Sequence, residues 1–265
     1  MYMSPNFSLF DDNLSKLTQH QFFLFFNFNH NNSYPSPMEQ LKIPDKLLLL
    51  RKIYSIYEQY TNSLDLACKK GCAHCCTRNV VITSLEGILI YNHFKANADD
   101  HSINKIRKFS HLPRFHTQLT TNDFAEMCMK GEETPDEQGN QVTGRCPLLK
   151  NETCTIYDVR PFECRSLISN VNCRDEGCAE QDPFSISVNT VFKQFIEHVD
   201  SSGISGNLTD ILVHLDIEMG KGDDLKGGPV ADNLIQNKAL QILLVQPEHQ
   251  EKMQPIIDSI QQIRI

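Results

Sequence analysis

The chain has 265 residues, 40% of them hydrophobic, no tryptophan and a formal net charge of −8. That length holds one large domain, or one domain with a tail, and enough apolar residues for a core. The acidic balance argues against nucleic acid as the main partner, because a phosphate backbone calls for a basic surface.

Residues 1–37 are crowded with Asn and Phe and end in Asn31-Asn32-Ser33-Tyr34-Pro35-Ser36-Pro37. They show no helical or strand period, so a disordered extension is expected there, with a single mostly helical domain over 38–265. Asp11 and Asp12 precede the first lysine, which is unlike a signal peptide. The nearest approach to a membrane span, Leu47–Leu50, is closed at once by Arg51 and Lys52. A cytoplasmic setting, where thiols stay reduced, is the expectation.

From Ile43 to Leu66 the residues Leu47, Leu50, Ile53, Tyr54, Tyr57 and Leu64 recur at helical spacing, with Pro44 in the first turn. Val80-Val81-Ile82 is a short β-type run. Thr83 and Glu86 then match a capping box for a helix through Phe94. Helical stretches continue over 101–130, broken at Pro113, and an exposed polar loop spans Glu132–Gly144. Cys146–Tyr157 reads as a hairpin around the polar turn Lys150-Asn151-Glu152. Asp158 is the expected cap of a short helix carrying Pro161 and Cys164. Four apolar stripes downstream read as helices. The first is Val188, Phe192, Phe195, Ile196 and Val199. The second is Leu208 to Met219, capped by Asn207 and stopped by Gly220. The third runs from Val230 to Leu244, and the last from Pro255 to Ile263. The expected fold class is mainly α, with one small β-hairpin.

The chemistry is concentrated in the cysteines. Seven of the ten fall into two groups. Cys68, Cys72, Cys75 and Cys76 form the first, and Cys146, Cys154 and Cys164 the second. Thiolate is a soft, charged donor, and several together in a reducing compartment point to a bound metal ion or iron–sulfur cluster. Adjacent residues on a helix point about 100° apart, so Cys75 and Cys76 can hardly share one ion unless the backbone is irregular. Gly71 permits such irregularity. Cys164 belongs to the first turns of its helix, where the helix terminus favours a thiolate. Arg160 and Arg165 would offset an anionic thiolate cluster and are candidate cofactor-binding residues, although an ordinary salt bridge is an equal alternative. Cys128, outside both groups, is expected to be an inert small hydrophobe. His74, beside Cys75, is expected to point outward.

The pattern Cys68-x3-Cys72-x2-Cys75-Cys76, then Cys146-Pro-Leu-Leu and Cys154-x-Ile-Tyr-x2-Arg-Pro-x2-Cys164-Arg, resembles the YkgJ-type cysteine-cluster family over roughly residues 65–175. That family is credited with zinc or iron chelation through about eight cysteines. The resemblance implies Cys68, Cys72, Cys75, Cys76, Cys146, Cys154 and Cys164 as ligands. It implies Cys173 as the eighth, with Cys178 as its rival, and a metal-binding core over about 65–178. The family description favours an iron–sulfur cluster, [4Fe–4S] being the expected type, with zinc as the alternative. The surplus of thiols over four implies accessory thiols or two sites.

Some flagellin lysine N-methylases share the cluster, which leaves a protein-modifying enzyme open. Cys68-x3-Cys72-x2-Cys75 is also the radical S-adenosylmethionine spacing, but that chemistry needs βα units that the sequence does not suggest. No catalytic residue is identifiable, and no Ser/His/Asp triad, Walker loop or Rossmann fingerprint is legible.

Overall fold

The computed structural model describes residues 40–135, 142–219 and 231–264. The expected N-terminal extension, Gly220 and Val230 lie outside these residues, as does the middle of the 132–144 loop.

Helix α1 (Ile43–Asn62) starts with Pro44 in its first turn and buries Leu49, Leu50, Ile53, Tyr54 and Tyr57 on one face. Strand β1 (Val81–Thr83) runs directly into α2 (Ser84–Ala96). The Thr83 side chain takes the Glu86 N–H while the Glu86 carboxylate takes the Thr83 N–H, so the expected capping box is formed. Helices α3 (Asp100–Phe109) and α4 (Thr121–Lys130) follow, capped by Asp99 and Thr120.

The hairpin is shorter than the sequence suggests. Strands β2 (Leu149–Lys150) and β3 (Thr153–Cys154) flank a two-residue turn, Asn151-Glu152, with φ of 49° and 58°. Cys146 precedes the first strand instead of lying on it. A 3-10 turn at Tyr157–Val159 leads to the short helix α5 (Phe162–Ser166), and α6 (Cys173–Glu176) is one turn long.

Helix α7 (Pro183–Val199) is the central element. Val188, Val191, Phe192, Phe195, Ile196 and Val199 are buried along it. Strand β4 (Ile204–Asn207) pairs antiparallel with β1 and with β5 (Ile235–Gln236), in the order β1-β4-β5. This sheet was not expected. Its middle strand, Ile-Ser-Gly-Asn, is too short and too polar to carry a strand signal. Asn207 caps α8 (Leu208–Glu218) as expected, whereas Met219, placed in the apolar stripe, is 48% exposed at the helix end. Helices α2 and α8 cross closely because residue 87 is glycine: a Cβ there would lie 2.5 Å from the Ile211 side chain. The buried side chains of α1, α2, α3, α7, α8 and α9 (Gln250–Gln261) join in one hydrophobic core. Pro255 lies inside α9 and does not open it.

The largest departure from expectation is the stretch after β5. Residues 237–246 form no helix. Buried side chains of α7 and α4 take over their backbone hydrogen bonds. Gln194, fully buried, donates to Ile242 O and accepts from Leu244 N–H; Glu197 accepts from Lys238 N–H; Asn122 donates to Lys238 O. Leu240 and Leu243 are buried, but by an extended strap and not by a helical stripe. Alternating and helical patterns are hard to separate over so few residues.

His198 Nδ1 accepts the Leu240 N–H of this strap at 3.2 Å, which requires a neutral ring. Burial, helped by the nearby Lys46 charge, pushes its pKa down to about 4. Between pH 6.5 and 4 the unfolded chain therefore takes up a proton that the folded one refuses. This contribution to stability is intact above pH 6.5 and lost as pH falls towards 4. Urea unfolding of the wild type and of His198→Asn should diverge across that window. The wild type should lose on the order of 3 kcal/mol more than the variant as pH falls. Parallel pH profiles would exclude the neutral-ring account.

Candidate metal centre

Three long-range anchors bring the cysteine stretches together. First, the chain leaving Cys76 pairs with the chain entering Cys146. Cys146 N–H donates to Cys76 O (3.0 Å), Arg78 N–H donates to Gly144 O (3.1 Å), and Thr77 bridges Arg145. Second, Glu86, 4% exposed on α2, reaches across the core to the start of α5. Its carboxylate accepts the Phe162 N–H and the Tyr54 hydroxyl, each at 2.7 Å. Asp158 makes no cap for this helix; Pro161 stands at the N-cap without a side-chain bond, and Glu86 supplies the acceptor from elsewhere in the chain. Third, Ala67 N–H donates to Ser169 O (2.9 Å), which sets Cys68 beside the loop that carries Cys173.

The first group is not helical. Residues 68–76 form consecutive turns, with Cys72 N–H bonded to Lys69 O, Cys76 N–H to Ala73 O, and Gly71 at φ +93°. The Cys75 thiol bonds to the Cys76 sulfur. That bond keeps the proton on Cys75 and, aided by Arg145, draws Cys76 down to about 7. Cys146, Cys154 and Cys164 pack against the hydrophobic core. Burial pushes Cys146 up to about 12, with neighbouring Cys76 and Cys154 adding to it. Burial also raises Cys164, as do Cys146, Cys154 and Cys76 around it, and burial with Cys76 raises Cys154. Cys68 is raised by burial and by Cys173 and Cys72.

The eight cysteines implied by the family resemblance are therefore neighbours in a continuous series. Cys173 is buried beside Cys68, whereas Cys178 is exposed. Cys128 is half-buried on α4. Among the described residues, no three Cys, His, Asp or Glu side chains are closed up as a ready metal-ligand set. The thiols are gathered but not converged.

Two features favour ionised, ligating sulfur. Main-chain N–H groups of Leu148, Ile156 and Ser169 are aimed at the sulfurs of Cys146, Cys154 and Cys68, and each favours the thiolate. In the first two the donor follows its cysteine by two residues. Such N–H to sulfur bonds commonly steady ligating thiolates. The other feature is Arg160. Its guanidinium stacks 3.8 Å from the Tyr157 ring centroid and favours the thiolates of Cys68, Cys76 and Cys154, while its buried Nε has no hydrogen-bond partner among the described residues. A buried donor without an acceptor is costly, and a thiolate or sulfide sulfur would satisfy it. Arg165 makes no salt bridge among the described residues. It stacks on Tyr54 and bonds to the carbonyls of Arg160 and Asp158. Sequence reasoning missed Glu86 as part of the site; its capping-box spacing signalled only the local task.

The described helices and two small sheets hold clustered thiols beside a basic pair, Arg160 and Arg165. A protein-family model matches residues 67–179, under half of the chain, and is described as "CxxCxxCC: Putative zinc- or iron-chelating domain". The match falls on the segment in which the sequence resembles the YkgJ-type cysteine-cluster family. No curated protein and no solved structure matches the chain.

Removing the Glu86 carboxylate leaves the Phe162 N–H, Thr83 N–H and Tyr54 O–H buried without acceptors, at about 1–3 kcal/mol each before relaxation. Glu86→Ala should thus cost on the order of 3 kcal/mol in urea unfolding, and it should release bound metal to a chelator faster than the exposed control Glu133→Ala. Wild-type stability in Glu86→Ala would refute its role as the anchor of Cys164.

Proposed function

We propose that this chain is a metal-binding protein whose cysteine-rich segment carries an iron–sulfur cluster, of the [4Fe–4S] type, with zinc on the same thiolates as the alternative occupant. The observation that carries the reading is the meeting of Cys76, Cys146, Cys154 and Cys164, from three separate stretches of chain, with each within electrostatic reach of the other three. The assigned ligands are Cys68, Cys72, Cys75, Cys76, Cys146, Cys154, Cys164 and Cys173. The setting is cytoplasmic, and 38–265 acts as one unit.

When bound, the metal group supplies positive charge, and in the cluster form one-electron redox chemistry. The rest is the work of this chain's own residues. Burial makes bare thiolates costly, so Cys146 and Cys164 hold their protons until a cation replaces them. The N–H groups of Leu148, Ile156 and Ser169 orient three sulfurs. Arg160 would offer its Nε–H, unpartnered among the described residues, to a thiolate or sulfide sulfur, and Arg165 bonds the backbone that carries it.

The enzyme alternative has less behind it. A pocket lined by Tyr91, Phe94, Ile106 and Asp216 contains no cysteine, and Arg165 is committed to main-chain carbonyls. The described sheets are antiparallel, unlike the βα units of a radical S-adenosylmethionine barrel.

Anaerobic purification with an absorption spectrum and iron, sulfide and zinc analysis tests the reading. Brown protein with matching iron and sulfide selects the cluster, stoichiometric zinc in colourless protein selects zinc, and metal-free folded protein rejects both. If the cluster is present, Arg160→Met should lower its reduction potential, because a positive charge that favours the more negative reduced form has gone. An unchanged potential would remove Arg160 from the site.

A further inference from the structure

The gathered thiols fall into two sets. Cys76 and Cys146 are joined by their paired backbone. Cys154 stands opposite Leu149 in the hairpin that follows Cys146, and Cys164 lies on the helix that Glu86 anchors. All six pairings among these four interact electrostatically. All four are half-buried, and three pack against the core.

Cys68 is oriented otherwise. Its thiol donates to Leu167 O at 3.8 Å, the preceding residue is tied to Ser169, and its sulfur neighbours are Cys173 and Cys72. Cys72 is exposed. Cys75 stands at the junction: it bonds to Cys76 and is within reach of Cys164 and Cys68. Two constraints make this division chemical. A tetrahedral ion, like a four-iron cluster, uses four thiolates, so eight overfill one centre. Cys75 and Cys76 are adjacent in the chain, and two centres let each serve a different one.

We propose that the domain holds two adjacent metal centres: an inner one on Cys76, Cys146, Cys154 and Cys164, and an outer one at the solvent edge on Cys68, Cys72, Cys75 and Cys173. The proposal rests on the metal-binding reading above. The outer centre, with Cys72 exposed and held by turns, gives up its metal first. The inner centre, packed on the core, is joined to the fold.

Titration of the reduced, metal-free full chain with Co(II), followed by thiolate-to-cobalt absorption, tests this. The wild type should take up two equivalents. Cys68→Ser should keep one, held as tightly as the more retentive of the wild type's two; Cys154→Ser should lose the tighter one. A chelator should strip the wild type in two steps. Saturation at one equivalent, or loss of both from Cys68→Ser, would overturn the two-centre proposal while leaving metal binding intact. No cobalt uptake by the wild type would overturn the metal-binding reading itself. Should Cys154→Ser fail to fold, the wild-type stoichiometry and Cys68→Ser, at the solvent edge, still decide.

Discussion

One buried carboxylate joins the helical body of this protein to its thiols. Glu86 sits on α2 and accepts from Tyr54 on α1, from the backbone of its own N-cap and from the first N–H of the helix that carries Cys164. A carboxylate inside a core is tolerated only when its acceptor capacity is filled, and here four donors fill it, the Thr83 hydroxyl being the fourth. The Tyr54 hydroxyl, held protonated by burial and by this carboxylate, stays a donor. The same ring is covered by Arg165, whose other bonds shape the turn at Arg160. A displacement of α2 would therefore reach Cys164 and Arg160 through hydrogen bonds, without passing through the apolar packing.

The charge distribution around the thiols differs from that of the whole chain. The protein is acidic, yet Arg145, Arg160 and Lys105 each favour ionised sulfur at one or more cysteines. Lys70 and Arg160 both lie over the Tyr157 ring, so the loop of the first cysteine group touches the second through a shared aromatic face. Net charge is a coarse guide to partners, because a local basic group is invisible in a sum.

Much of this was legible in the sequence, and the misses share a cause. The helices with long apolar stripes, the capping box and the Asn207 cap were readable because each is specified within a few residues. The cysteine groups were readable because thiols at such spacing have few other uses in a reducing compartment. Whatever depends on distant partners was not readable. Strand β4 exists because β1 and β5 lie on either side of it, and the α5 cap comes from Glu86, seventy-odd positions upstream. The Val230–Leu244 stripe reads as a helix because it is apolar, and two of its leucines, Leu240 and Leu243, are buried. Nothing in those leucines announces that Gln194 and Glu197 answer their backbone.

That strap has a consequence for local motion. A ribbon drawing shows residues 237–246 as coil, the part of a protein usually assigned to rapid opening. Yet the amides of Lys238, Leu240 and Leu244 are each closed onto a side chain of α7, a helix buried along most of its length. Their exchange with deuterated solvent is gated by the release of α7 and not by fraying of the strap. In a protection map this irregular segment would register with the core.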